Sequence, residues 1–133
     1  METIKILVVD NEEDQRRLLS VILTQFGYAV KDVSSAEAAL KSIDSEKYHL
    51  IITDLIMPEM DGTELCERIK RIRPDVKVYA ISGYIELYDD NKLEQFGFDG
   101  IIKKPITMNS LKETVESAVG NPVLPGSGGP IQR

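Results

Sequence analysis

The chain's 133 residues are 42% hydrophobic and 29% charged, which suits one globular domain with a single sizeable core. A net charge of −6 and a pI near 4.8 argue against a broad nucleic-acid surface, which needs a basic face to meet phosphates. No apolar run approaches the roughly 18 residues of a membrane span, "METIKILVVD" lacks the pattern of a signal peptide, and the one cysteine, Cys66, excludes an internal disulfide, so the expected compartment is the cytoplasm.

The apolar run "IKILVV" (4–9) reads as a first strand, ending at Asp10 ahead of "NEED". A helix pattern follows, with Leu18, Leu19, Ile22, Leu23 and Phe26 at three- and four-residue spacing and Gly27 closing it. "YAVKDV" (28–33) is the second strand; Ser34 with Glu37 then suggests a capping box for a helix whose apolar positions are Ala38, Ala39, Leu40 and Ile43. "LIITD" (50–54), the third strand, is almost continuously apolar until Asp54, as expected for a strand covered on both faces. Asp61 with Glu64 caps a third helix that carries Leu65, Ile69 and Ile72 as core positions until Pro74 stops it. "VKVYAIS" (76–82) ends at Ser82, a fourth helix is expected from about Glu86 to Phe96, and "GIIKK" (100–104) ends at Lys104. Thr107 caps a fifth helix with Leu111, Val115 and Ala118 facing inward. Half of residues 120–133 are Gly or Pro, so the domain is expected over 1–119, followed by a disordered tail or the start of a linker.

Five β-α units with short loops imply an α/β fold with a parallel sheet, right-handed crossovers and helices on both faces. Ligands of such sheets sit at the carboxyl ends of the strands, where Asp10, Asp54, Ser82 and Lys104 would converge. Two carboxylates that face each other repel unless a cation binds between them, and oxygen ligands of this kind suit magnesium. A lysine and a hydroxyl beyond them could grip a phosphoryl group. The set reads as a phosphoryl-transfer site with a carboxylate nucleophile that forms an acyl phosphate.

The stretches "ILVVDNEED", "IITDLIMPEMDG", "AISGY" and "IIKKPI" carry a resemblance to the receiver domain of two-component response regulators, in that family's order and spacing over about residues 3 to 119. The resemblance implies a flavodoxin-like (CheY-like) doubly wound sheet of strand order 2-1-3-4-5. It implies phosphorylation of Asp54 and an Mg2+ ion held by Asp10, Asn11, Asp54 and the backbone carbonyl of Ile56. Ser82 takes the place of the switch hydroxyl, Lys104 that of the family's lysine, and the Lys104-Pro105 bond is expected to be cis. The phosphodonor would be a sensor histidine kinase or a histidine phosphotransfer protein. The listener would be a downstream protein or an output domain of a longer regulator, because residues 120–133 are too short for one. Such a domain assists its own phosphorylation but turns over no separate substrate.

The chain departs from that pattern in three places. Asn11 stands where the family usually has a second acid, which costs the metal site a charge that Glu12, Glu13 or Asp14 could restore. Ile101 stands where a switching Tyr or Phe is usual, leaving Tyr84 and Phe98 as candidates for that movement. Ile56 and Tyr84 flank the path of attacking water without orienting it, so a phosphoryl group on Asp54 is expected to last minutes to hours. Asn11 and Ile101 also favour the alternative, a receiver-like module that binds partners without phosphorylation. An aspartate-nucleophile phosphatase would need an acid at position 56, and a flavin-binding loop would not read "DNEED". Of the remaining residues, Cys66 reads as a buried small hydrophobe, His49 as a surface residue, "ERIKRIR" (67–73) as a solvated helix face, and Met57 and Met60 as packing for the loop over the site.

Overall fold

The computed structural model describes residues 3–83 and 90–120, apart from the side chains of Ser82, Asp90 and Asn91. Strands and helices alternate throughout: β1 (Lys5–Val9), α1 (Glu13–Gln25), β2 (Ala29–Val33), α2 (Ala36–Ser45), β3 (Leu50–Asp54), α3 (Gly62–Ile72), β4 (Lys77–Ser82), α4 (Asp90–Gln95), β5 (Gly100–Lys103) and α5 (Met108–Val119). All pairings are parallel, and the five-stranded sheet runs β2-β1-β3-β4-β5. The doubly wound order expected from the resemblance is therefore the observed one.

The burial pattern follows from position in the sheet. Central β1 and β3 are buried almost end to end, and apart from Thr53 their buried side chains are apolar and largely β-branched. Edge strand β2 can expose Lys31 and Asp32. Apolar side chains form two clusters, one on each face. Leu7, Val9, Ile51, Val78 and Ala80 pack with α2, α3 and Leu93 of α4. Ile6, Val8, Leu50, Ile52, Ile81 and Ile102 pack with α1 and α5.

The caps are specified locally. Asp61 Oδ1 accepts from the backbone of Thr63 and Glu64, each at 3.1 Å, and Thr107 Oγ1 accepts from Ser110 N at 3.1 Å. Gly27 and Gly97 adopt φ of 107° and 105°, the left-handed conformation that ends α1 and α4. The cap of α2 is Ser35, whose hydroxyl accepts from Ala38 N at 3.1 Å, and not the neighbouring Ser34. Two expected core positions are exposed. Leu18 lies about 100° around α1 from buried Leu19, off the inward stripe. Ile72, in the last turn of α3, lines an open cleft with Arg73 and Pro74. His49 is half-buried, and its Nδ1 accepts from Lys5 N at 3.0 Å, so it joins the starts of β1 and β3 and is no mere surface residue. Cys66 is buried as expected, its thiol pushed up to about 12 chiefly by burial. Of the expected fourth helix, Asp90–Gln95 is helical and 84–89 lie outside the described residues, as do 121–133.

Candidate functional site

Asp10, Asp54 and Lys104 follow or end β1, β3 and β5 at one edge of the sheet. Asp10 N donates to Val33 O at 3.2 Å, which prolongs the β1–β2 ladder by one step and leaves the side chain only 2% exposed. Its Oδ1 accepts from Glu12 N at 2.9 Å, and its carbonyl accepts from Arg16 Nη1 at 2.8 Å. Arg16 also pairs with Asp32 at the end of β2, at 3.0 Å. Nothing in the sequence singled out Arg16, because its partners belong to other strands.

Asp54 ends β3 half-buried. The segment after it explains the "MDG" turn. Gly62 N donates to Leu55 O at 2.9 Å, and a methyl group on Gly62 would collide with the carbonyl oxygen of Asp54, so only glycine lets α3 start against the backbone of this residue. Between them the chain reverses at Glu59, whose φ is 71°, with Met60 N donating to Pro58 O at 2.8 Å. Met57 is buried and Met60 partly so, both on the α2–α3 side of the core, as expected. Ile56 is 63% exposed beside the carboxylate, and its N–H reaches Asp54 Oδ1 only at 3.5 Å.

Burial raises the carboxyl groups of both Asp10 and Asp54 above the ordinary range. The charge of Asp54 pushes Asp10 further up, Glu12 pushes on both, and Lys104 pulls both back. Glu12 is thus the acid of the "EED" run whose charge both carboxylates feel. The Lys104 ammonium donates to Gln15 Oε1 at 2.9 Å, and Gln15 Nε2 donates to Glu12 Oε1 at 2.8 Å. Gln15 was also not anticipated; position three after the α1 cap was its only local signal. The Lys104-Pro105 peptide is cis, and Pro105 lines a groove of 240 Å³ with Asp10, Gln15, Leu18 and Lys104.

The remaining expected residues are spread around this edge. Asn11 is exposed next to Asp10. Ser82 ends β4 one step beyond Ile81, the cross-strand partner of Asp54, while its side chain and all of Tyr84 lie outside the described residues. Ile101 is half-buried against the α2–α3 cluster, and Phe98 is buried within that cluster. The donor set fits magnesium: two carboxylates that repel one another, an amide and a backbone carbonyl offer only hard oxygens. Among the described residues no three His, Cys, Asp or Glu side chains form a metal cluster.

A family profile for the response regulator receiver domain matches residues 6–116. The chain belongs to that family. This receiver is 32% identical over 114 residues to the response regulator receiver protein CpdR of Brucella abortus, covering 84% of this chain and 93% of that one. It is 33% identical over 126 residues to a probable chemotaxis protein CheY of Rhizobium etli, covering 90% and 95%. The DNA-binding transcriptional regulator NtrC of Azospirillum brasilense is 30% identical over 127 residues, but the receiver spans only 26% of its length. Among solved structures, a CheY-like receiver domain from Methanospirillum hungatei superposes with a TM-score of 0.82 at 30% identity, covering 89% of this chain and 94% of that one.

Proposed function

We propose that this receiver is a phosphorylation-controlled switch in which Asp54 accepts a phosphoryl group from a histidine kinase or a histidine phosphotransfer protein. The observation that carries the reading is the pairing of two raised carboxylates, Asp10 and Asp54, at the carboxyl edge of the sheet, within the electrostatic reach of Lys104. An Asp54 oxygen forms the new O–P bond as the N–P bond to the donor imidazole breaks, and the electron pair stays on that ring. Magnesium, held by Asp10, Asn11, Asp54 and the Ile56 carbonyl, would neutralise charge on the phosphoryl oxygens. Asp10 is fixed by Glu12 N and Arg16, and Asp54 by the packing of Gly62 on its backbone, so neither needs to reorganise when the group arrives. Lys104 supplies a cation at the outer oxygens, and Ser82 a hydroxyl. Exposed, apolar Ile56 orients no water, which supports a long-lived acyl phosphate.

The reading is tested by adding beryllofluoride and magnesium and following backbone chemical shifts. Shifts centred on residue 54 in the parent, absent in Asp54→Asn, are the expected result. No response in the parent would favour the second reading, a partner-binding module that works without phosphorylation, which the amide at Asn11 supports.

A further inference from the structure

The Lys104 ammonium stands close enough to bias both carboxylates, yet among the described residues it forms an ion pair with neither; its hydrogen bond goes to Gln15. The amide of Gln15 is spent at both ends, its oxygen on the ammonium at 2.9 Å and its nitrogen on Glu12 at 2.8 Å. A cation on one side and an anion on the other fix the orientation of that amide, since only its oxygen accepts and only its nitrogen donates. Glu12 is itself anchored by its backbone N–H on Asp10, so a chain of hydrogen bonds runs from Asp10 through Glu12 and Gln15 to Lys104.

An ammonium has three N–H donors, and the bond to Gln15 uses one. The others remain for an acceptor, and the Asp54 carboxylate, whose ionisation the lysine already favours, offers one. A lysine paired there would cover the nucleophile and fill the space that an incoming phosphoryl group needs. Held at α1, it leaves the carboxylate uncovered while its charge still acts on Asp10 and Asp54.

We propose that Gln15 is a positioning residue: by holding the Lys104 ammonium off the Asp54 carboxylate, it keeps the nucleophile unpaired and leaves room for the phosphoryl group. This rests on the phosphorylation reading above and adds to it a residue that acts only through Lys104. Gln15 is exposed, so replacing it does not disturb the core.

The test uses acetyl phosphate as phosphodonor with magnesium and reads the maximal rate and the half-saturating concentration separately. Gln15→Met keeps the shape but neither accepts nor donates; Gln15→Glu still accepts from the ammonium. The expected result is a half-saturating concentration about tenfold higher in Gln15→Met, at an unchanged melting temperature and maximal rate, because a lysine seated on Asp54 competes with the incoming phosphoryl group. Gln15→Glu should recover most of that loss. In a Lys104→Met background, Gln15→Met should change nothing further. A parental half-saturating concentration in Gln15→Met, a Gln15→Glu variant as weak as Gln15→Met, or losses that multiply in the Lys104→Met background would each overturn the proposal. If the unsubstituted protein takes up neither acetyl phosphate nor beryllofluoride, the phosphorylation reading itself fails, an outcome distinct from a responsive parent with an indifferent Gln15→Met.

Discussion

The two edges of the sheet treat charge in opposite ways. At the amino edge, polar groups are matched. Asp99 Oδ2 accepts from Lys70 Nζ at 2.6 Å and from Val78 N at 2.9 Å, while Lys70 also donates to Val76 O at 2.8 Å. The Tyr48 hydroxyl donates to Glu46 at 2.7 Å and therefore accepts from Ser42 at 2.6 Å, and Arg73 donates to Ile43 O at 2.9 Å. At the carboxyl edge, Asp10 and Asp54 are driven upward chiefly by burial, with the charge of Asp54 adding to the push on Asp10 and that of Glu12 to the push on both, and the nearby lysine is tied elsewhere. Matched charges hold the strands in register. Unmatched ones store a cost that an incoming ligand can relieve, which is how a site differs from a staple.

Substitutions at the two edges should therefore fail differently. Asp99→Ala would leave Val78 N and Lys70 without their shared acceptor and should cost about 2 kcal/mol of stability, measured by urea unfolding, with phosphorylation at Asp54 intact. At the other edge, Ile56→Asn should leave stability unchanged but shorten the acyl-phosphate lifetime about tenfold, read as phosphate release from phosphorylated protein. Equal effects of both variants on stability would erase the contrast.

The pH dependence gives a smaller and sharper difference. A carboxyl group raised on folding binds its proton more readily in the folded chain, so its ionisation costs stability. That cost is absent below the unfolded value of about 4 and complete once pH has risen past the folded value. Asp54→Asn removes it, so without magnesium the variant should melt above the parent at pH 7, with the gap closing as calorimetric scans move toward pH 4. A gap that widens on acidification would mean that Asp54 is matched after all. The smallest effect belongs to the loop between β3 and α3: Glu59→Gly should relieve the left-handed backbone at φ 71° and gain about 0.5 kcal/mol.

Much of this architecture was legible because it is encoded locally. Apolar runs marked the central strands, Asp61 and Thr107 announced their helices, and the polar strand ends pointed to the edge where Asp10, Asp54 and Lys104 lie. What escaped was either a one-residue choice or a partner far along the chain. Ser34 and Ser35 are chemically equivalent, and only the helix phase selects the second. Leu18 and Leu19 are adjacent and identical, yet a 100° step sends one inward and the other to solvent. Gln15 and Lys104 are 89 residues apart, and the Lys5–His49 bond spans 44, so no local spacing predicts either.

Helix α5 links these contrasting edges. It begins just after Pro105, beside the site, and its last carbonyl region is fastened where the Tyr28 hydroxyl donates to Gly120 O at 3.0 Å. Twelve residues at 1.5 Å each make it a rod of about 18 Å. Gly120 therefore stands a full helix length from the start of α5. A rigid helix of that length could carry a tilt or slide from the site edge to the opposite edge of the sheet.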